Sequence, residues 1–354
     1  MSSRRRDTPK DGSVTMKEVA ERAGVSMMTV SRVLNDGSSV REGTRAKVMA
    51  AVEALGYRPN ISARSLAGSR SYFIGLLYEN PSAAYVSELL IGALDSCRAA
   101  GYHLVVEACD IDAPDLGEQV LALVRDSRLD GLILPPPLCE SEPLMDALRA
   151  AGVVYVRVAP FTRLDVASYV YIDDAKAAFE ITTRLIAQGH QRIGFVKGHP
   201  NQGASVSRLK GFREAMAAAG LKVDRRDIRQ GYFCYKSGLR CAEALLGRDD
   251  RPTAIFASND DMAAAVYAVA ARYGLDIPAD LSVVGFDDTL IATTVWPQLT
   301  TVRQPIAEMA SAAVDVLIQI VRSGTAARDL GHVRRLLDYT IVERGSTGPA
   351  SRPV

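Results

Sequence analysis

Two groups of residues in this 354-residue chain have the types and spacing to do chemistry. The first lies in Met16–Asn35, MKEVAERAGVSMMTVSRVLN. Ser26 stands where a helix N-cap belongs, and Met27, Met28, Thr29 and Arg32 follow it on the leading face of a short helix. Arg32 can donate two hydrogen bonds to a guanine edge, Met28 can touch thymine methyls, and Thr29 and Ser31 suit phosphate oxygens. The second group is scattered through the rest of the chain, each member near the end of a β-rich run: Tyr78, Asp110, Arg157, Asp173, Phe233, Asn259 and Asp287. In open α/β sheets ligands sit beyond the carboxyl ends of the strands, so these seven are candidate ligand contacts.

Both groups need elements to hold them. Val19, Ala20 and Ala23, then Val30, Val33 and Leu34, then Val48, Val52 and Leu55 recur at helical spacing, which predicts three short helices over 16–57. Ala20 is small enough to let the second helix cross closely, and Gly24 supplies the turn, where a positive φ is expected. A helix pair of this kind places its second helix in the major groove of DNA. Residues 1–15 are expected to be disordered, and 58–71, RPNISARSLAGSRS, to form a polar, weakly helical linker. From residue 72 short β-rich runs (FIGLLYE, YHLVVEAC, GLILPP, VVYVRV, YVYID, RIGFVKG, AIFAS, LSVVGFDD) alternate with helical stretches such as 83–99, 174–188, 205–219, 236–246 and 260–273. That alternation predicts parallel sheets covered on both faces. About eight strands are too many for one small sheet, so two similar lobes are expected over 72–346. A disordered tail is expected at 347–354.

Charge separates the two regions. Residues 1–70 hold thirteen Lys/Arg against seven Asp/Glu, a net of +6, while the whole chain has +1, leaving −5 on the remainder. A basic head on an acidic body points to a polyanionic partner for the head. The basic, polar N-terminal stretch has no apolar core and does not read as a signal peptide, and no run reaches the ~18 apolar residues of a membrane span. Five cysteines without a C-x-x-C pair fit reduced thiols in the cytoplasm, and four scattered histidines offer no metal-ligand spacing. Enzyme signatures are missing: GHPNQGAS has Walker-like glycine spacing, but Ala204 stands where the lysine is essential, and no nucleophile elbow or H-E-x-x-H occurs. No metal or cofactor is expected.

The strings GVS-x-x-TVSRVLN, TR-x-x-V and LGYRPN-x-x-ARSL, continuing into SYFIGLL, resemble the lactose-repressor (LacI/GalR) family along the whole chain. The resemblance implies a helix-turn-helix head and a two-lobed body like periplasmic sugar-binding proteins, with the effector between the lobes. It implies that 58–71 becomes a hinge helix on operator DNA. Leu66 would then wedge into a base step, with Asn60 and Ala63 packing or touching the groove, a device that kinks the duplex. Thr15, Asn35 and Tyr57 complete the set expected to contact DNA. Arg41 stands where the family often has a serine that caps the third helix. In the body the resemblance assigns Asn259 (SNDDMA) and Asp287 (VVGFDD) to effector hydroxyls, Arg208 (SVSRLKGF) to a ligand bond, and Phe233 and Tyr85 to the sugar's apolar face. Asn259 also suits a plain helix N-cap, Phe233 plain core and Asp287 a turn.

One position departs from the family. Many relatives end the fourth strand in aspartate, and here VVYVRVA puts Arg157 there. With Arg208 it would suit a carboxylate or phosphate, as in a sugar acid or sugar phosphate; the alternative is an ion pair with Asp287 or Glu79. The expected protein is a cytoplasmic homodimeric repressor of carbohydrate-utilisation genes. It would bind a near-palindromic duplex with half-sites about 10 bp apart and be released by a sugar or sugar acid. Co-repression, by a nucleobase or sugar phosphate for example, would use the same parts with opposite sign.

Overall fold

The computed structural model describes residues 14–35, 40–57, 70–324 and 331–350. The chain divides into two compact units at Ser71/Tyr72.

The first unit contains three helices, α1 (Met16–Ala23), α2 (Met27–Asn35) and α3 (Glu42–Leu55). Thr15 and Glu18 form a reciprocal capping box at the start of α1. Gly24 ends α1 at φ 65°, a left-handed conformation that costs glycine no β-carbon clash, and Val25 N–H closes back on Ala20 O at 3.0 Å. Ser26 Oγ then accepts the Thr29 N–H at 3.1 Å and starts α2. Val19, Val30, Val33 and Val48 are almost fully buried between the helices, as the 3.6-residue spacing requires. Arg41 gives α3 no side-chain cap.

The second unit holds two parallel sheets. The first comprises β1 (Phe73–Tyr78), β2 (His103–Ala108), β3 (Gly131–Leu134), β4 (Tyr155–Val158), β5 (Tyr169–Tyr171) and β11 (Arg334–Leu336), in the order β2-β1-β3-β4-β5-β11. The second comprises β6 (Ile193–Lys197), β7 (Ile228–Gln230), β8 (Ala254–Ala257), β9 (Ser282–Asp287), β10 (Thr300–Arg303) and β12 (Thr340–Val342), in the order β7-β6-β8-β9-β10-β12. Only the β10–β12 pair is antiparallel. Leu132–Leu134, Val156–Val158, Ala254–Ala257 and Val283–Phe286 are buried throughout, because helices cover both faces of each sheet.

Helices α4 (Ala83–Ala100), α5 (Leu116–Asp126) and α6 (Glu142–Ala150) belong to the first sheet, and α7 (Asp174–Ala187), α8 (Gly203–Ala218), α9 (Tyr235–Leu246), α10 (Asp260–Arg272) and α11 (Leu290–Thr294) to the second. The last helix, α12 (Ile306–Ser323), returns to pack on α4. The chain therefore crosses between lobes three times: after β5, after β10 and between β11 and β12.

Eight of the twelve described strands coincide with the β-rich runs. The other four, β7, β10, β11 and β12, are three or four residues long, and three of them are edge strands. Such segments (RRL, IRQ) carry too few apolar residues to signal a strand. The tail also differs from expectation. Ser346 is fully buried and its Oγ donates to Val283 O, Gly348 N–H donates to Ser282 Oγ at 3.0 Å, and Ala350 N–H donates to Gln188 O at 2.9 Å. Residues 346–350 close the end of the second sheet where β9 and β10 begin, and supply partners for backbone groups that would otherwise be left unpaired there.

Candidate functional site

In the head, Met27 and Met28 are 53% and 65% exposed, and Arg32 is exposed beside them. Large apolar side chains standing in solvent at the start of a capped helix form a surface suited to a partner. Thr29 is half-buried, its hydroxyl 2.9 Å from Ser26 Oγ; Ser31 is half-buried too. Thr15 is occupied by its capping box. Tyr57 differs from expectation: it is only 8% exposed and belongs to the head's core, which its aromatic ring fills behind α3. The side chain of Asn35, and Asn60, Ala63 and Leu66 altogether, lie outside the described residues.

In the body, both sheets reverse strand order at a switch point, between β1 and β3 in one lobe and between β6 and β8 in the other. The loops leaving these strands face each other across a cleft, where ligands of such sheets bind. Its inner part is lined by five of the expected residues, Tyr85, Arg208, Phe233, Asn259 and Asp287, and encloses about 30 Å³. Arg208 is almost fully buried. Its Nε donates to Asp174 Oδ1 at 2.7 Å, one Nη donates to Ser258 O at 2.5 Å and lies 3.7 Å from Asp287, and the guanidinium stacks 3.5 Å above the Phe286 ring centroid. Gln304 Nε2 donates to Asp287 Oδ1 at 2.7 Å. Burial pushes the Asp287 carboxyl well above the usual carboxylate range, opposed by Arg208. Asn259 both caps α10, accepting the Met262 N–H, and donates to Phe233 O at 3.1 Å. Phe233, Asp287 and Ala159 all carry positive φ (56°, 109° and 50°), backbone strain gathered at one place on the lobe rims. A hydrogen bond between described residues crosses the cleft: Ser82 Oγ donates to Asp261 Oδ2 at 2.6 Å.

Four expected contacts, Tyr78, Asp110, Arg157 and Asp173, do not line the cleft. Asp110 is exposed and Tyr78 lies within the first lobe. Arg157 is fully buried and absent from the cleft lining. Its guanidinium donates to Cys139 O, Thr162 O and Arg163 O, each at 2.8 Å, with Glu140 at 3.9 Å. Glu140 in turn accepts from Phe161 N, Thr162 N and Thr162 Oγ1. Neither Asp287 nor Glu79 is its partner, and Arg157 does not line the cleft where an acidic effector would meet it: its guanidinium is taken up by three backbone carbonyls. The loop it holds carries Phe161 against Gly203 of the other lobe, where a β-carbon would collide with that side chain.

Sequence reasoning missed Asn80, Ser82, Asp174, Gln202 and Gln304. Asp174 adjoins the expected Asp173, which is an exposed cap of α7. Asn80 and Ser82 follow β1 directly, and Gln304 follows the unrecognised β10, so the strand-end rule read a few residues further would have reached them. Pro136, Ala159 and Ala204 carry no chemical signal.

An outer chamber of about 320 Å³ adjoins this cavity, lined by Glu79, Asn80, Pro81, Pro137, His199, Asn201 and Gln202. Among the described residues lining either part, Arg208 is the only cation. No described group of His, Cys, Asp and Glu could hold a metal, and no described helix is long and apolar enough to cross a membrane.

A family model for bacterial regulatory proteins of the lacI family matches residues 15–60, and one for periplasmic-binding-protein-like domains matches residues 182–347. Catabolite control protein A of Priestia megaterium is 34% identical over 328 residues, 92% of this chain and 98% of that one. The ribose operon repressor of Escherichia coli (strain K12) is 35% identical over 338 residues, 94% of this chain and 99% of the repressor. Among solved structures, the Lac repressor dimer bound to operator and the anti-inducer ONPF matches with a TM-score of 0.71 at 28% identity, covering 95% of this chain and 99% of that one.

Proposed function

The chain belongs to the lacI family of bacterial regulatory proteins, and from that premise we propose that it is a cytoplasmic, dimeric operator-binding repressor released from DNA by a neutral sugar. Its relatives are transcriptional regulators rather than enzymes. The capped α2, with Met27, Met28 and Arg32 in solvent, supports a reading head for the major groove.

The observation that carries the neutral-sugar reading is the charge balance of the cleft. One guanidinium, Arg208, already faces two carboxylates, Asp174 and Asp287. Arg157, the second cation that an acidic effector would need, is spent on backbone carbonyls. Hydroxyl groups, which both donate and accept, suit Asp287, Asn259, Gln202 and Gln304, and the Phe233 and Tyr85 rings suit a sugar's apolar face. Sugar acids and sugar phosphates would need a cation, and Arg208, the only one among the described lining residues, is already bonded to Asp174.

The test is selection from a pool of random duplexes at ~0.15 M salt, repeated with neutral sugars, sugar acids and nucleobases. A palindrome enriched by the protein and released by a neutral sugar is the expected result. A palindrome tightened by a nucleobase would replace induction with co-repression, and release by sugar acids alone would overturn the charge argument. In the same selection Arg32→Ala should relax one base position per half-site; a uniform loss over all sequences would mean that Arg32 meets phosphate.

A further inference from the structure

The inner cavity and the outer chamber are very unequal. The inner one encloses about 30 Å³, the outer about 320 Å³. The first is too small to hold a sugar ring, whereas the second lies in the range of small-molecule sites. Two residues, Asn80 and Gln202, line both and form the passage between them.

Gln202 is 5% exposed, and its side chain makes no capping bond to α8. Its amide can therefore both donate to and accept from a ligand's hydroxyl groups in the passage. The loop that carries it is braced: Ser205 Oγ donates to His199 O at 2.6 Å and Gln230 Nε2 to Gly198 O at 2.7 Å. Asn201 N–H donates to His199 Nδ1 at 3.3 Å, which leaves Nε2 to carry the ring's proton and donate. The His199 ring is set edge-on to Tyr232, with centroids 5.3 Å apart. Opposite, Asn80 Oδ1 accepts the Ser82 N–H, which leaves its amide N–H groups to donate. Pro81 and Pro137 add flat apolar surface, and Glu79 is the only charged residue in the lining.

We propose that the outer chamber is a second saccharide subsite, so that the effector is a neutral disaccharide or glycoside of at least two rings. This rests on the neutral-sugar reading above. The first ring meets Arg208, Asp287 and Asn259 as the lobes part, the glycosidic link lies beside Gln202, and the second ring sits between the proline faces and the His199 loop. Among the described residues of the outer lining no side chain is cationic, which favours a neutral second ring.

The test is titration calorimetry of the full chain with cellobiose, maltose, lactose and sucrose against glucose, galactose, fructose and ribose. One disaccharide should bind at least tenfold more tightly than the monosaccharides it contains. His199→Ala should remove that advantage while leaving the monosaccharide affinity within twofold. Asn201→Ala, changing an exposed side chain, should narrow it in the same direction. A monosaccharide that binds as tightly as the best disaccharide overturns the second subsite and leaves the sugar reading intact, as does an equal loss for both ligand sizes in His199→Ala. Binding by none of these sugars overturns the sugar reading itself and the subsite with it.

Discussion

Arg208 organises the cleft through geometry that only a guanidinium provides. It bonds Asp174 and Ser258 O while stacking on Phe286, three directions at once. Lysine has one compact charge and no flat face. Arg208→Lys should therefore weaken sugar binding by roughly a hundredfold, in line with the ~2–5 kcal/mol for removing one partner of a buried hydrogen-bonded pair. Calorimetry would read this, and an affinity within threefold of the wild type would dismiss the assignment. Behind the site, Asp260 accepts from Thr301 Oγ1 at 2.7 Å and Thr289 N at 2.8 Å, bracing the turn after Asp287. Burial pushes its carboxyl from the usual 3.8 to about 7. The folded state then holds this proton more tightly than the unfolded chain. The contribution is fully present below the ordinary value of 3.8 and is lost as pH rises through about 7. Urea titrations from pH 4 to 8 should show wild-type stability falling by a few kcal/mol more than that of Asp260→Asn. Parallel pH profiles would show that Asp260 is not the group responsible.

At the scale of elements, the loop between β4 and β5 shows how one side chain can be read correctly as unusual and wrongly as a ligand contact. Arginine at a strand end was legible as a departure. Its destination was not, because the three carbonyls it serves come from Cys139, Thr162 and Arg163, which adopt that arrangement only in the folded lobe. The consequence is mechanical: Arg157 and Glu140 stiffen a loop whose Phe161 abuts Gly203 on the other lobe. Arg157→Met should destabilise the body by about 3–5 kcal/mol, since it leaves Glu140 without its buried countercharge and the carbonyls without donors. Denaturant unfolding measures this; a change below 1 kcal/mol would reduce the clamp to a surface pair. The capping elements of the head were easier to read. Thr15–Glu18, Gly24 and Ser26 act within four residues of themselves, so their spacing alone carries the information.

At the scale of the whole molecule, regulation needs a coupling free energy between cleft and operator, and linkage makes it reciprocal. A sugar that weakens operator binding must itself bind more weakly to the operator complex, by the same factor, typically 5–150-fold. Measuring the sugar's affinity with and without saturating operator gives that factor, and a factor of one would mean that cleft and operator site are not coupled. The Ser82–Asp261 bond is a candidate for part of that equilibrium because it joins the lobes across the cleft. Ser82→Ala should change the coupling factor severalfold without altering operator sequence preference. Leu66, outside the described residues, is expected to act at the other end of this coupling, and Leu66→Ala should cost specific binding far more than non-specific binding.

The sequence by itself determined the division into head and body, the caps and turn of the helix pair, eight parallel strands, and five side chains that line the cleft. These follow from local rules, whether 3.6-residue spacing, buried apolar runs or the carboxyl ends of strands, and from long motifs held in common with relatives. Only the tertiary structure decided that Arg157 supports a loop, that Tyr57 fills a core, and that residues 346–350 close the end of a sheet. It alone brought Asn80, Asp174 and Gln202 to one cleft. Each of these depends on groups far apart in the chain meeting in space, where burial and hydrogen-bond demand, rather than residue type, choose the partner.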